Sequence, residues 1–160
     1  MDFTLPKHLQ LFKEMVREFA EQEVRPKARQ IDAEGWPDMD VIRKLGENGL
    51  LGIPFPTKYG GGGLGETGYC ILMETMGGIC TSTATLIGAH IGIGVMALYL
   101  GGTEEQKKKY LPDLCNGRKI AAFCLTEPGA GSDAAGIKTR AVKDGSNWVL
   151  SGNKIYITNG

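Results

Sequence analysis

Charge of either sign cancels in this chain: 18 lysines and arginines stand against 18 aspartates and glutamates in 160 residues. Such a surface sets up no field that would draw the protein to nucleic acid or an anionic membrane, which leaves a small, locally recognised ligand as the better fit. The four cysteines, Cys70, Cys80, Cys115 and Cys124, stand too far apart for paired metal-ligand spacing, so no metal site is expected. Each lies among apolar neighbours and reads as a reduced core thiol in a reducing compartment. The start Met1-Asp2-Phe3-Thr4-Leu5-Pro6 lacks a basic region followed by an apolar run. Neither a secretory signal nor a transit peptide is therefore expected, and the expected location is the bacterial cytoplasm. The four glycines from Gly60 to Gly63 lack a preceding strand and the Lys-Ser/Thr ending of a phosphate loop, so they read as a mobile inter-helix loop. Residues 84–100 carry no formal charge with His90 neutral, but polar residues and glycines interrupt them. That falls short of the about 20 predominantly apolar residues of a membrane span, so a helix buried in a bundle is expected, with His90 structural.

What is present is helix-rich first and strand-rich last, with the change near Asn116-Gly117. The pattern signals an α+β fold or two domains, divided as residues 1–117 and 118–160. Leu5, Leu9, Phe12, Val16 and Phe19 recur at helical spacing behind a Thr4 cap, and Pro26 should kink or end that helix. A shorter helix around Val41, Ile42 and Leu45 stops at Asn48-Gly49. Thr103 and Gln106 have the spacing of a capping box, Glu104 and Glu105 complement the positive helix end, and Lys107 to Lys109 form a solvated face. Beyond Arg118, short β-like runs cover 120–125, 137–142, 148–150 and 155–158. Asp144-Gly145-Ser146-Asn147 reads as a hairpin connection and Ser151-Gly152-Asn153 as a second turn.

The chemistry concentrates in residues 123–136, where an apolar run, Phe123-Cys124-Leu125-Thr126, meets a glycine-rich loop, Glu127-Pro128-Gly129-Ala130-Gly131-Ser132-Asp133. A strand would deliver residues 123–126 to an edge, and the glycines would let the backbone approach a flat or phosphorylated ligand. An ordinary surface turn uses the same dipeptides. A second segment, Lys154-Ile155-Tyr156-Ile157-Thr158-Asn159-Gly160, would as a strand present an aromatic ring and a hydroxyl on one face.

Together these segments resemble the acyl-CoA dehydrogenases. The likeness extends through Met1-Asp2-Phe3, Tyr59-Gly60-Gly61, Gly102-Thr103-Glu104-Glu105-Gln106-Lys107 and Tyr110-Leu111-Pro112, all in the family's order. It implies an N-terminal helical bundle followed by the first strands of an antiparallel β-barrel, incomplete relative to the family because the chain stops at Gly160. It implies FAD, an acyl-CoA substrate oxidised to a trans-2-enoyl-CoA, an electron-transferring flavoprotein as acceptor, and a homotetramer or homodimer when full length. Backbone groups at Phe123 and Leu125 and the Thr126 hydroxyl would bind the polar edge of the isoalloxazine. Gly131 and Ser132 would approach the pyrophosphate, with Ser132 also near the substrate's thioester or pantetheine portion. Tyr156, Ile157 and Thr158 would form the second flavin-contacting strand, with Tyr156 where many relatives have Trp. The family's catalytic base lies beyond residue 160, so no catalytic residue is expected here and the chain alone should not turn over substrate. Glu127 then anchors the loop through backbone hydrogen bonds, and Asp133 holds the turn. Acyl-CoA oxidases and flavin-dependent monooxygenases share the fold, and a non-catalytic remnant would retain the helical part. Unpaired strand edges should leave the end of an isolated chain partly ordered or prone to aggregation.

Overall fold

The computed structural model describes residues 4–160; Met1-Asp2-Phe3, part of the resemblance, lies outside them. Leu9, Phe12, Val16 and Phe19, spaced at three and four, bury one face of α1 (Lys7–Phe19). Pro6 occupies its N-cap without a side-chain cap, so the helix begins later than a Thr4 cap would give. The ladder loosens into a π-segment, Ala20–Val24, before α2 (Arg25–Glu34). Pro26 sits in the first turn of α2, directly after the π-segment, so the helical run continues past the residue that lacks an N–H instead of ending there. Asp38 caps α3 (Met39–Glu47) by accepting from the amides of Asp40 and Val41 at 2.9 and 3.0 Å. Gly49 then turns the chain in the left-handed region, as expected from Asn48-Gly49.

The connection to α4 (Gly65–Gly77) is pinned rather than mobile. Gly61 N donates to Pro56 O (3.2 Å), Gly62 N to Gly52 O (3.0 Å), Gly63 N to Phe55 O (2.9 Å) and Leu64 N to Ile53 O (3.1 Å). Beneath it, buried Phe55 and Tyr59 meet Tyr99 edge-on at 5.5 and 6.4 Å between ring centroids. A loop with glycine backbone on this aromatic cluster has its polar groups spent internally, which a composition reading does not reveal.

Next comes a continuous helical run made of α5 (Thr81–Gly88), a π-segment (Ala89–Val95) and α6 (Met96–Gly101). Thr81–Gly101 is long and apolar enough to cross a membrane, with mean hydropathy 1.6. In this fold Ala84, Ile87, Ile91 and Val95 bury a stripe in the common core, while Ile93 and Leu100 are exposed. The helix α7 (Glu104–Cys115) starts with the expected capping box: Thr103 N donates to Gln106 Oε1, and Gln106 N to Thr103 Oγ1. Lys107 departs from the solvated-face reading, since its ammonium lies 5.5 Å from the Tyr99 ring centroid and 3.7 Å from Glu104.

Of the four β-like runs, two form strands: β1 (Arg140–Asp144) pairs antiparallel with β2 (Asn147–Ser151), Val142 opposite Val149. Residues 120–125 and 155–158 are extended or turn-like and join no ladder, and no turn interrupts 151–153. The architecture is thus α+β, a helical bundle followed by a two-stranded antiparallel sheet. Every residue of both strands is exposed, Trp148 and Leu150 included. Two strands without a packed face are marginal alone, so amides 140–151 of the isolated chain are expected to exchange with solvent far faster than those of α1 and α4. Equal protection would show the hairpin to be independently stable.

Two of the cysteine assignments hold and two do not. Cys80 and Cys115 are buried, and burial pushes the Cys115 thiol up to about 11, which keeps it unreactive. Cys70 and Cys124 are exposed. Cys70 has apolar neighbours in sequence but lies off the buried stripe of α4, which is Ile71, Leu72 and Met76.

Candidate functional site

After Gly117 the chain leaves the bundle and runs extended toward the glycine-rich loop, supported by side chains instead of a ladder. His90, fully buried in the π-segment, accepts from Ala121 N at Nδ1 (2.9 Å) and therefore carries its proton on Nε2, which donates to Leu114 O (3.1 Å). Burial lowers its pKa and keeps the ring neutral. The structural reading of His90 thus holds.

The loop at 127–139 is organised by one carboxylate. Glu127 is 7% exposed and accepts from Lys138 N at 2.7 Å, Thr139 N at 3.0 Å and Lys154 Nζ at 2.9 Å. Its backbone pairs reciprocally with Ala130 at 3.1 Å in both directions, closing the Pro128-Gly129 turn. The Thr139 hydroxyl lies beside the carboxylate without hydrogen-bond geometry. Its dipole, the Lys138 amide and the Lys154 ammonium hold the carboxyl down at about 2. An ionised, fully engaged carboxylate of this kind is a loop anchor, as expected. Asp133 holds its turn through the backbone, its carbonyl accepting from Gly136 N at 3.1 Å.

This anchoring leaves a free edge. Leu125 O accepts from Lys154 Nζ (2.8 Å) and Thr126 O from Ile155 N (3.0 Å), so the carbonyls of this stretch face the second segment. The amides of Phe123, Leu125, Thr126, Gly131 and Ser132 donate no bond among the described residues. A Cβ built on Gly129 or Gly131 meets nothing within 4 Å, so the loop face is open. Thr126 and Ser132 add hydroxyl groups to the same stretches, and amide and hydroxyl donors are the chemistry that the polar rim of a flavin or a pyrophosphate calls for.

The second segment differs from its sequence reading. Tyr156 has a positive φ of 56° and is 90% exposed, and Thr158 and Asn159 form a turn with Asn159 at φ 66°. Tyr156 and Thr158 therefore do not alternate along a strand. A tyrosine held in the left-handed region is a genuine backbone outlier, and here it projects a bare ring outward. The structure brings the two predicted segments side by side through Thr126 and Ile155. Ile157 and Thr158 also line a cleft of about 630 Å³ facing Trp36, Met39, Ile42 and Leu86 of the bundle. Among the described residues no group of three His, Cys, Asp or Glu side chains could hold a metal ion.

Lys154 and Asn159 went unassigned in the sequence reading although both organise the site. Lys154 ties the two segments through Leu125 and Glu127, 29 and 27 residues away. Asn159 Nδ2 donates to Leu86 O (3.1 Å) and Ala121 O (3.3 Å). Only the polar residue types flanking an apolar run signalled them.

Comparison with known proteins bears on the family of the chain. The profile of "Acyl-CoA dehydrogenase, N-terminal domain" matches residues 6–118, and that of "Acyl-CoA dehydrogenase, middle domain" matches residues 122–160. The chain is 44% identical over 160 residues to the short-chain specific acyl-CoA dehydrogenase of Clostridium acetobutylicum, covering all of this chain and 42% of that protein. A chain from the structural work on the electron transferring flavoprotein of Acidaminococcus fermentans superposes with TM-score 0.96 at 41% identity, over all of this chain and 42% of the other. The acyl-CoA dehydrogenase of Bacillus anthracis, solved in complex with FAD, gives TM-score 0.88 at 38% identity, over 97% of this chain and 27% of that one. The chain thus spans about two-fifths of the length of the curated relative it matches. With these two family models together matching residues 6–118 and 122–160, the chain belongs to the acyl-CoA dehydrogenase family.

Proposed function

We propose that the whole protein is an FAD-dependent acyl-CoA dehydrogenase, oxidising an acyl-CoA thioester to the trans-2-enoyl-CoA and passing electrons to an electron-transferring flavoprotein. The observation that carries this reading is the open edge of unspent amides at Leu125, Thr126, Gly131 and Ser132, held by the engaged Glu127 carboxylate. When bound, FAD would supply the acceptor for the hydrogen leaving the β carbon. The residues of this chain would do the holding. Phe123 and Leu125 would present backbone groups to the isoalloxazine rim, and the Thr126 hydroxyl would add one donor. Gly131 and Ser132 would sit against the pyrophosphate, with Ser132 also reaching the thioester end of the substrate. Tyr156 would lay its exposed ring on the flavin, and Ile157 and Thr158, which line the neighbouring cleft, would add an apolar contact and a hydroxyl beside it. Such rigid placement lets bond breaking at two carbons occur in one aligned complex.

Similarity to a short-chain specific relative supports a short acyl chain as the first substrate to try. The test is anaerobic incubation of the full-length protein with butyryl-CoA and an electron-transferring flavoprotein, with mass spectrometry of the thioester. Loss of two hydrogens, with reduction of the acceptor, is expected. Product formed only with oxygen as acceptor would instead identify an oxidase, and no product from any acyl-CoA would remove the enzyme reading.

A further inference from the structure

The segments that carry the proposed flavin contacts are fixed to the helical bundle through Ala121 on the first and Asn159 on the second. Ala121 N donates to His90 Nδ1 (2.9 Å), and Ala121 O accepts from Asn159 Nδ2 (3.3 Å). Both main-chain polar groups of Ala121 are thus met by side chains, one from the bundle and one from the second segment. The fit is tight on the third side as well: a Cβ on Gly94 would lie 2.6 Å from the Ala121 Cβ, so glycine is required for this approach. The same Asn159 amide reaches Leu86 O (3.1 Å) on α5. Asn159 does this at φ 66°, a conformation asparagine tolerates better than most residues.

At the far end, Ile155 N donates to Thr126 O (3.0 Å). The two segments are therefore pinned at both ends, Ala121 with Asn159 at one and Thr126 with Ile155 at the other, where Lys154 also reaches Leu125 and Glu127. Phe123, Leu125, Tyr156, Ile157 and Thr158 all lie between these pins. Neither 120–126 nor 155–159 belongs to a sheet, so no ladder fixes their separation.

We propose that His90 and Asn159 are positioning residues, clamping Ala121 against Gly94 and so setting where both flavin-contacting segments stand relative to the helical bundle. The inference rests on the flavin reading above and goes beyond it, because neither side chain need touch the cofactor. His90 acts through its neutral form: Nδ1 must accept, and Nε2 is committed to Leu114 O. Displacements well under an ångström in such a frame change how well a bound ring is held.

The test uses the full-length protein with three variants. Asn159→Gly keeps the positive φ accessible and removes only the amide. His90→Phe fills the buried volume and removes both bonds, and His90→Gln restores part of the donor and acceptor set. Gly61→Ala, which strains the bundle away from the clamp, serves as the purely structural control. Asn159→Gly and His90→Phe are expected to weaken FAD binding by about tenfold or more and to change the visible circular dichroism of bound flavin. His90→Gln should recover part of that loss, and Gly61→Ala should lower the melting temperature with the flavin signal unchanged. Unaltered FAD affinity and dichroism in Asn159→Gly, or an equal change in Gly61→Ala, would overturn the proposal. Should the variants fail to fold, the ¹⁵N shifts of His90 in the parent protein decide: an unprotonated Nδ1 supports the clamp and a protonated Nδ1 refutes it. A parent protein that holds no flavin refutes the functional reading and the positioning role with it, while the ring shifts still report whether the clamp exists.

Discussion

Glu127→Gln is expected to leave the helical bundle folded and to weaken flavin retention by about one to two orders of magnitude. The carboxylate accepts from two successive amides and one ammonium, at 2.7, 3.0 and 2.9 Å. A glutamine side chain has a single acceptor oxygen, and its amide nitrogen would turn a donor toward one of those donors. The loop at 127–139 would then lose the group that holds it to residues 138 and 139, and with it the open edge of amides. The pH dependence has a definite sign. The folded carboxyl stands at about 2 against an ordinary 4.5, so its contribution is complete above 4.5 and is lost as the pH falls from there toward 2. Equilibrium dialysis at neutral pH should show the variant binding FAD more weakly than the parent, and chemical denaturation across the acid window should show the parent losing the Glu127 contribution as the pH falls, a dependence that the variant lacks. Equal affinities at neutral pH would show that the carboxylate does not organise the ligand loop.

Gly61→Ala is the second large effect and lies in the bundle. A Cβ there would stand 2.1 Å from Phe55 O and 2.5 Å from Phe55 C, both backbone atoms that cannot swing aside. The same carbonyl oxygen accepts from Gly63 N at 2.9 Å, so relieving the clash also breaks a loop bond. Phe55 is fully buried against Tyr99, which carries the strain into the core. Overpacking at such a site costs about 1–3 kcal/mol. Gly77, where an added Cβ meets nothing within 4 Å, is the matched control. Gly77→Ala is expected to be neutral or to stabilise by up to about 1 kcal/mol through helix propensity. Chemical denaturation of both variants checks the pair, and similar midpoints would contradict the packing argument.

The helices were legible because their signals are local. Leu9, Phe12, Val16 and Phe19 repeat at the helical period, and the Thr103 and Gln106 capping box lies within one turn. The anchoring role of Glu127 was legible too, since a carboxylate beside Pro128-Gly129 has backbone amides within reach. What the sequence did not disclose is how the site segments are held. Residues 120–125 and 155–158 have strand-like composition, yet the first run bonds to the side chains of His90, Lys154 and Asn159, as far as 38 residues off in sequence for Ala121 and Asn159. A two-residue apolar period records which residue types alternate and says nothing of whether a neighbouring backbone or a side chain answers the amide. Lys107 and the glycine run were misread because residue types alone do not show the chain turning back to set Lys107 by Tyr99 and Gly61 by Phe55.

Residues 123–132 and 156–158 are proposed to form one wall of a flavin site in an acyl-CoA dehydrogenase. The most direct test is the visible absorption spectrum of the full-length protein from its native host, before and after anaerobic addition of butyryl-CoA. The expected result is a yellow protein carrying FAD in stoichiometric amount, bleached by the thioester. A colourless protein that takes up no added FAD would contradict it.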